Sequence, residues 1–404
     1  MPNAWCRLCG EVLNGSALSL QQVPVCNRFT LRPDAVARHD LVLHQCRRCQ
    51  LIQLGVPLPV EAVRPRLPWI KYREPDAHLD GVVDLLLDEP DSKAATSFGV
   101  GPFDQPLLDR LQRRGLRAAA LDIRPTQSGQ DGYPYLETWQ LGLNAEHLTG
   151  IAKLYGTADI ISCRYLLEHC HDPLGALGGL KQLLADNGVV VIEVPDSAKF
   201  LAACDYSFLW EEHVSYFVES TLRHLSTKAG YEVANLRRAQ GELEDALIAV
   251  LRPARDERSV DVAPTSTPTP ELFPDYIANF APKRDLVRSW AAEAAGPSGD
   301  GLAVFGIGHQ AVMFANAMGV SERIAMAVDD DPDKRSYFPP GFKVPVVPSD
   351  ALLQDTKVRA CLFAVAPRIE QKIRDRLAPL ARRGVEFRSI FAGVPGSVLP
   401  GPSP

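Results

Sequence analysis

The sequence lacks the features that define several large classes of protein. Its 404 residues contain no run of eighteen consecutive apolar residues, so no membrane-spanning helix is predicted. Lysine and arginine together number 43 against 49 aspartates and glutamates, and the net charge of −6 provides no basic field that would attract nucleic acid. No tyrosine is followed four residues later by lysine, which excludes the catalytic pair of a short-chain reductase.

Two further absences bear on where the chain works. The first residues, Met1 to Cys6, show no charged segment followed by an apolar one, so we expect no secretory leader and a cytoplasmic protein. Nine cysteines are present, but four of them form two close pairs and the others are scattered. Thiols kept for a metal ion or for packing, rather than for disulfides, suit a reducing compartment. At this length we expect two or three domains.

The two cysteine pairs predict a metal site. Cys6 and Cys9 are separated by two residues, and so are Cys46 and Cys49. Each pair can direct both thiolates toward one ion, and two pairs complete a closed tetrahedral site of the kind that holds a structural zinc ion, Zn²⁺. The alternative is four unrelated thiols. A small module with little core would depend on its metal to fold.

The stretch 158–196 has the pattern of half a doubly wound α/β sheet. An apolar strand begins near Ala158, and Asp172-Pro173 opens a helix with leucines at helical spacing. Asn187-Gly188 ends that segment, and Val189 to Val194 is rich in β-branched residues, as expected of a buried strand. Ligands bind outside the carboxyl ends of strands in such sheets, so we expect the site there.

A strand, a turn and a helix are also predicted upstream of this stretch. A strand within residues 95–105 runs into a turn that contains Gly99 and Gly101, and a helix begins near Asp104. Such a turn lets backbone N–H groups approach a ligand. The next strand ends in Asp122, where a carboxylate can accept hydrogen bonds from ribose hydroxyls. An exposed loop aspartate is the alternative.

A third unit of this kind lies near the C-terminus. A strand ending at Phe305 is followed by Gly306-Ile307-Gly308, a helix, and a second strand that ends before Asp329. This repeats the βαβ pattern of a nucleotide-binding half-sheet. A nicotinamide site would require a third glycine, and His309-Gln310-Ala311 does not supply one. The last segment, 395–404, is predicted to be disordered.

These motifs together resemble a known family. Leu167-Glu168-His169 followed by Asp172-Pro173 resembles the segment that class I S-adenosylmethionine-dependent methyltransferases carry after their fourth strand. With the cysteine pairs, the segment EEHVSYF (211–217) and FGIGHQA (305–311), the chain resembles over nearly its whole length the three-part sugar C-methyltransferase family.

The resemblance implies an α/β fold with three parts. The fold would be a class I methyltransferase Rossmann-like sheet, with an N-terminal zinc-binding module and a C-terminal Rossmann-like α/β domain. We predict a zinc-binding module over 1–70 and a methyltransferase domain over 71–252. A linker and bridging helix over 253–297 would precede a substrate-binding domain over 298–404.

The resemblance also implies roles for individual residues. Gly101 and Asp104 would bind the methionine end of S-adenosylmethionine, and Asp122 would bind its ribose. The segment that ends strand four would form the floor under the cofactor. The full set of cofactor-binding residues implied in this way is Gly99, Gly101, Asp104, Asp122, Arg164 and Leu167.

The family's catalytic segment corresponds here to residues 210–217. His213 would be the general base, and Glu212 would orient it. The alternative is a scaffold role for this segment, and His169 is a second candidate base. Tyr72, Glu74 and His78 lie where the family has a flap over the active site, with ordinary surface residues as the alternative.

The chain departs from the family pattern at three positions. Gly99 stands where an acidic residue is usual, Gln105 where a second glycine is usual, and Trp210 where the family has a tyrosine. The first two departures concern cofactor binding. The third concerns the choice of substrate.

The predicted function is C-methylation of a nucleotide-linked keto-sugar, or of a related natural-product intermediate, by base-assisted enolate formation. The predicted partner is a small-molecule substrate, with no nucleic acid and no membrane, and the predicted oligomeric state is a monomer. Two alternatives stay open. One is O- or N-methylation of another small metabolite, and the other is a non-catalytic binding protein with a degraded cofactor site.

Overall fold

A computed structural model describes residues 4–33, 36–70, 74–87, 95–125, 136–255 and 272–399 of the chain. These residues form three sheets that follow one another along the sequence, apart from one strand that returns to the first sheet. None of the described helices is long and apolar enough to cross a bilayer.

The first sheet is small and antiparallel, with the strand order β1-β2-β3-β8. Alternate leucines of its first two strands, such as Leu20 and Leu43, are buried, as expected of a sheet with one face on the core. The strands are β1 (Ala17–Pro24), β2 (Arg38–Gln45), β3 (Ile52–Leu54) and β8 (Ser215–Tyr216). Because β8 comes from the predicted methyltransferase domain, this sheet joins the two predicted units.

The central sheet has the order β5-β4-β6-β7-β10-β9. The first four strands are parallel, and the last two are antiparallel to their neighbours. The strands are β4 (Thr96–Gly99), β5 (Arg117–Ala120), β6 (Ala158–Arg164), β7 (Leu184–Asp196), β9 (Tyr231–Ala239) and β10 (Asp245–Pro253). This mixed sheet confirms the predicted class I methyltransferase fold, and its carboxyl edge is formed by the ends of β4, β5, β6 and β7.

Helices cover both faces of the central sheet. Asp172 accepts a hydrogen bond from the Gly175 N–H at 2.9 Å and so caps the predicted Asp-Pro helix, which ends in a 3₁₀ turn. The helices of this half are α1 (Val60–Val63), α2 (Leu79–Leu87), α3 (Gln105–Arg113), α4 (Leu136–Trp139), α5 (Ala145–Tyr155), α6 (Pro173–Gly179), α7 (Ala198–Ala203) and α8 (Glu219–Lys228).

The third sheet is entirely parallel, in the order β13-β12-β11-β14-β15. Its elements are α9 (Leu272–Ala295), β11 (Leu302–Phe305), α10 (His309–Ala317), β12 (Met326–Val328), β13 (Val346–Val347), α11 (Ser349–Gln354), β14 (Ala360–Phe363), α12 (Pro367–Arg376), α13 (Ala378–Arg382) and β15 (Glu386–Ser389). The parallel order with flanking helices confirms the predicted Rossmann-like C-terminal domain.

Two buried clusters join the three sheets. Leu20 of β1, Phe200 of α7, Phe273 of α9 and Met313 of α10 belong to the same buried cluster. Two backbone hydrogen bonds between Thr30 and Phe338, at 2.7 and 3.2 Å, also tie the first part of the chain to the last. A second cluster, which includes Leu8, Leu51 and Ile161 of β6, packs the N-terminal part on the central sheet by burial of apolar surface.

The structure corrects one prediction about the end of the chain. Val398 and Leu399 are buried in the common core, at 7% and 0% exposure, so the predicted disorder is wrong for residues 395–399. The composition of the segment, polar and rich in proline, predicted disorder, but its two apolar side chains pack in the core. Residues 400–404, and residues 256–271 of the predicted linker, lie outside the described part of the chain.

Candidate active site

The glycine turn after β4 is shaped by one buried carboxyl group. A Cβ added to Gly99 would lie 2.6 Å from the Asp104 Cβ, so the position usually taken by an acidic residue must be glycine here. At Gly101 an added Cβ would lie 3.2 Å from both the Arg164 carbonyl oxygen and Asp104 Oδ2. A side chain at either position would therefore fill the turn. Glycine leaves the backbone open to the approach of a ligand, and we call this turn the cradle.

Asp104 holds this turn rather than reaching out of it. Its Oδ2 accepts a hydrogen bond from the Gly101 N–H at 2.6 Å, and its Oδ1 accepts one from the Arg164 N–H at 3.1 Å. The side chain is fully buried, and burial raises the pKa of this carboxyl to about 7. Both oxygens are occupied by backbone amides, so a direct contact of Asp104 with the cofactor stays a prediction.

Arg164 and Leu167 line the same edge from β6. The Arg164 side chain is 1% exposed, forms an ion pair with Glu193, and donates a 2.7 Å hydrogen bond to the Pro75 carbonyl. Its guanidinium is committed to the protein, while its backbone faces Gly101. Leu167, also buried, opens a short 3₁₀ turn. These two residues are therefore placed to offer backbone and apolar surface to a cofactor.

Asp122 lies one residue beyond the end of β5, with a carboxylate 55% exposed. Its Oδ1 accepts hydrogen bonds from the Arg124 backbone and Nε at 3.0 and 2.8 Å, and this arginine lowers the pKa of the carboxyl. The Arg124 guanidinium stacks 4.9 Å from the centre of the Trp139 ring. An ionised, accessible carboxylate beside a flat aromatic surface fits a nucleoside, and with the open cradle at Gly101 the residues present fit S-adenosylmethionine.

The segment 210–217 crosses the site and is tied to the N-terminal module. Glu211 accepts a hydrogen bond from the Cys26 backbone N–H, and Glu212 Oε1 accepts one from Asn27 Nδ2 at 2.8 Å. Both glutamates are 3% exposed. Because Asn27 uses this oxygen of Glu212, the role of Glu212 in orienting His213 stays a prediction.

His213 stands in a cluster of rings near the carboxyl edge. Its ring centre lies 4.8 Å from that of His169 and 4.8 Å from that of Trp210. His213 is partly exposed, whereas His169 is 3% exposed. Desolvation, with a smaller contribution from His169, lowers the pKa of His213 well below its ordinary value. The imidazole is therefore neutral near neutral pH and able to accept a proton.

Glu168 faces the two histidines without a partner of its own. Neither carboxylate oxygen of Glu168, nor Nδ1 of His169, has a hydrogen-bond partner within the described ranges. Donor atoms of Glu168, His169 and His213 all lie within 4.8 Å of one another. Burial raises the pKa of Glu168 well above its usual value. Such a set can hold polar groups of an acceptor molecule or a cation.

Further acidic residues surround this cluster. Burial raises the pKa of Glu74 to about 7 and that of Glu244 to about 8. Glu193 lies 2.8 Å from His78 Nε2. His78 therefore contacts the Arg164–Glu193 pair, which makes it more than the surface residue of the alternative interpretation. Tyr72 falls outside the described residues.

His309 was missed by reasoning from the sequence alone. It is the first residue of α10 in the C-terminal domain, and its ring stacks on Trp210 with centres 4.3 Å apart and planes at 21°. It directly follows the Gly306-Ile307-Gly308 turn, whose sequence argues only against a nicotinamide site. A polar side chain at that position could have marked it as a wall of the site.

The four predicted zinc ligands come together away from the central site. The sulfur atoms of Cys6 and Cys49 are 3.4 Å apart, those of Cys9 and Cys46 are 3.5 Å apart, and all four lie within 4.8 Å of one another. Gln53 Nε2 donates a hydrogen bond to the Cys6 sulfur at 3.1 Å. Four convergent thiols with an outer-shell amide donor are a suitable set for a structural metal ion.

Two family models match two separate parts of the chain. Residues 84–236 match a methyltransferase domain family. Residues 267–391 match the C-methyltransferase C-terminal domain family. The second match includes Trp290, the glycine turn at 306–308 and His309.

The chain is similar along most of its length to the C-methyltransferase NovU of Streptomyces niveus, with 25% identity over 376 residues and 84% of each chain covered. Among solved structures it is similar to an O-methyltransferase family protein from Burkholderia thailandensis, at 14% identity and a TM-score of 0.30, covering 45% of this chain and 59% of that one. It is also similar to the magnesium protoporphyrin IX methyltransferase of Synechocystis PCC 6803, at 16% identity and a TM-score of 0.31, covering 44% and 83%.

Proposed function

We propose that this chain methylates a carbon atom of a nucleotide-linked keto-sugar, or of a related natural-product intermediate. The matches to a methyltransferase domain family over 84–236 and to the C-methyltransferase C-terminal domain family over 267–391 support this. S-adenosylmethionine, when bound, supplies an electrophilic methyl group on a sulfonium. The cradle at Gly101 and the carboxylate of Asp122 would hold it at the carboxyl edge of the sheet.

The observation that carries the proposal is the neutral, partly exposed imidazole of His213 at this edge. A carbon next to a ketone becomes a nucleophile only after loss of a weakly acidic proton, and a positioned neutral histidine can take that proton. The carboxylate oxygens of Glu168 have no hydrogen-bond partner among the described residues and can form hydrogen bonds with hydroxyl groups of an acceptor. A polyhydroxylated acceptor such as a sugar suits these walls.

The similarity to NovU, whose name describes a C-methyltransferase, supports transfer to carbon rather than to oxygen or nitrogen. O- or N-methylation remains the competing chemistry, because Trp210 replaces the family's tyrosine and brings no phenol. A non-catalytic binding protein is the second competitor. Each competitor makes a different product or none.

Two measurements test the proposal on the full chain. Calorimetry with S-adenosylmethionine should give saturable heat, and silence up to millimolar cofactor would leave only the binding-protein alternative. Incubation with S-adenosylmethionine carrying a ¹³C methyl group and thymidine diphosphate-4-keto-6-deoxyglucose should give a new carbon–carbon bond by NMR. A ¹³C methyl resonance at the shift of an O-methyl or N-methyl group would instead establish the competing chemistry.

We also propose that Cys6, Cys9, Cys46 and Cys49 hold one structural Zn²⁺. The four-sulfur set leaves no position for a substrate, which suits a structural role. Metal analysis of the purified chain should find one zinc per molecule, and Cys49→Ser should lose it and unfold the module. Cys361→Ser, a buried thiol of β14, is the matched control and should keep the metal. Full zinc content in Cys49→Ser would contradict the assignment.

Three further predictions belong to this proposal. The division at residues 70, 252 and 297 is supported by the three sheets, although β8 crosses the first boundary. A cytoplasmic location is supported by nine free cysteines. A monomer is supported by a site whose walls come from one chain, and sedimentation at micromolar concentration tests it.

A further inference from the structure

The proposed C-methylation needs a group that the site has so far not provided. Removal of a proton next to a ketone places negative charge on the ketone oxygen, and a hydrogen-bond donor at that oxygen stabilises the enolate. Trp210 stands where the family has a tyrosine, so this position offers no phenol. The donor must therefore be sought among the other side chains near His213.

The tyrosines and the arginine of this edge are engaged within the protein. The Tyr216 hydroxyl donates to the Trp210 carbonyl oxygen and accepts from the Trp210 backbone N–H, both at 3.0 Å. The hydroxyl of the buried Tyr165 interacts with Glu193. Arg164 forms an ion pair with the same carboxylate. None of these groups is left over to hold a ketone oxygen.

Glu168 differs from them because its carboxyl group is buried without a partner. The residue is 1% exposed, and neither carboxyl oxygen has a hydrogen-bond partner in the parts of the chain that the structure describes. A polar group taken out of water without a compensating hydrogen bond costs stability, and native proteins contain few such groups. An uncompensated carboxyl group beside the candidate base indicates that a bound molecule supplies the missing hydrogen bonds.

The backbone holds Glu168 next to His213. The chain turns sharply after β6, where Tyr165 adopts a φ of 49°, in the left-handed region that residues other than glycine rarely occupy. The Val214 N–H donates to the Glu168 carbonyl at 2.8 Å and so joins this turn to the segment that carries His213. Donor atoms of Glu168, His169 and His213 lie within 4.8 Å of one another. A ketone whose neighbouring carbon faces the base would therefore have its oxygen near this carboxyl group.

The protonation of Glu168 suits a hydrogen-bond donor. Desolvation raises the pKa of its carboxyl well above the usual value. Nearby carboxylates act in the same direction, namely those of Glu74, Glu244 and Glu193. The histidines beside it are His169 and His213, and desolvation lowers the pKa of both. A carboxyl group kept neutral in an apolar site has an O–H to donate to an enolate oxygen.

We infer that Glu168 is a catalytic residue of the acceptor site, and that its carboxyl O–H holds the ketone oxygen while His213 removes the neighbouring carbon-bound proton. This inference rests on the proposed C-methylation. The C–H electron pair moves into a carbon–carbon double bond, the carbonyl electrons move to oxygen, and the proton resides on His213. The nucleophilic carbon then takes the methyl group, the electron pair of the broken carbon–sulfur bond stays on sulfur, and the carbonyl re-forms. His213 releases its proton to water, and Glu168 keeps its own.

The test measures proton removal apart from methyl transfer. With saturating S-adenosylhomocysteine and thymidine diphosphate-4-keto-6-deoxyglucose in D₂O, NMR follows exchange of the proton next to the ketone. Glu168→Leu has no donor, and exchange should fall by about 10²-fold. Glu168→Gln is neutral and keeps both a donor and an acceptor, so its exchange should stay within about tenfold of the wild type. Glu370→Leu, at a buried acid of α12, is the control and should exchange like the wild type.

A stability measurement separates a catalytic role from a structural one. Leucine at position 168 replaces an unpartnered buried polar group by an apolar one. The urea midpoint of Glu168→Leu should therefore equal or exceed that of the wild type, although the exchange rate falls. A residue that the fold requires would give a lower midpoint instead.

The outcomes separate this inference from the proposed function. Exchange at the wild-type rate in Glu168→Leu would overturn the inference and leave the proposed function intact. Equal losses in Glu168→Gln and Glu168→Leu would overturn it too, because the site would then require an ionised carboxylate, as a cation site does. A lower urea midpoint with lower exchange in Glu168→Leu would establish a structural role and would also overturn it. A wild-type enzyme that exchanges no proton would overturn both the inference and the proposed function.

Discussion

The molecule contains two turns in which a strand, a glycine segment and a helix follow one another, one after β4 and one after β11. The carboxylates that follow the next strand of each unit differ in their exposure. After β4, the acid that follows the second strand, Asp122, is 55% exposed and pairs with Arg124, two residues further along the chain. After β11, the corresponding acid, Asp329, accepts hydrogen bonds from the Ile307 N–H at 2.8 Å and from Lys334 Nζ at 2.7 Å. The first turn keeps an open ligand edge, whereas the second has closed its own.

The difference teaches that a strand–glycine–helix pattern does not by itself define a binding site. Whether such a turn can bind a ligand depends on which groups donate hydrogen bonds to the carboxylate that follows the second strand. In the second turn that carboxylate stabilises the loop, and the helix after it presents His309 to the neighbouring domain. One half-sheet keeps a carboxylate at its ligand edge, and the helix of the other contacts the segment that carries His213 through Trp210.

The largest expected effect lies in the ring cluster of His213, Trp210 and His309, which the helix after the second turn joins. His213→Ala removes the proposed base and should lower kcat by about 10² to 10⁴-fold, the usual contribution of a positioned proton acceptor. The methyl-transfer assay measures it. His224→Ala on α8, outside the ring cluster, is the control and should keep wild-type turnover. Undiminished turnover in His213→Ala would end its role as the base.

A paired substitution tests the two acids directly. Asp122→Ala should weaken S-adenosylmethionine binding by about tenfold, because hydrogen bonds to a charged group contribute about 1.5–3 kcal/mol and this one is half exposed. Asp329→Ala should leave the Kd unchanged, since that carboxylate serves its own loop. Calorimetry measures both. A larger loss of affinity in Asp329→Ala would reverse the comparison.

Asp104 should matter to the turn itself. In Asp104→Asn one acceptor oxygen becomes an NH₂ group that cannot accept from the Gly101 or Arg164 N–H, so the free energy of unfolding should fall by about 1–3 kcal/mol. Urea denaturation measures it. Ser97→Ala, at the other end of the strand, is a matched buried control. No change in unfolding would show that the turn does not depend on this carboxyl.

The smallest expected effect concerns pH. The pKa of His213 in the folded protein is lowered below its ordinary value near 6.5, so the base is already neutral at pH 6.5 and becomes protonated only at lower pH. We therefore expect no loss of kcat/KM from protonation of His213 between pH 8 and 6.5, and such a loss only below that range. Glu74 and Glu244, with pKa values of about 7 and 8, titrate inside the range and are replaced by glutamine for this measurement. A fall centred at or above pH 7 in that variant would contradict the lowered pKa of His213.

Local patterns were enough to predict most of the fold. The strands that begin near Ala158 and end at Phe305, the capped helix after Asp172 and the cysteine pairs depend on neighbouring residues, and each was predicted from spacing or propensity. The contacts that shape the site join residues far apart in the sequence. Neither the Asn27–Glu212 hydrogen bond nor the His309–Trp210 stack leaves a periodic pattern, because both arise only when separate parts of the chain pack together.

The pairing of β3 with β8 has a consequence for synthesis of the chain. The first sheet receives its last strand from Ser215–Tyr216, and Ile52 pairs with Tyr216 across that junction. A ribosome that has just released β3 must continue for on the order of ten seconds before β8 emerges. During this time the edge of β3 in the N-terminal module is unpaired. The first sheet is completed only after the segment that carries His213 has been synthesised.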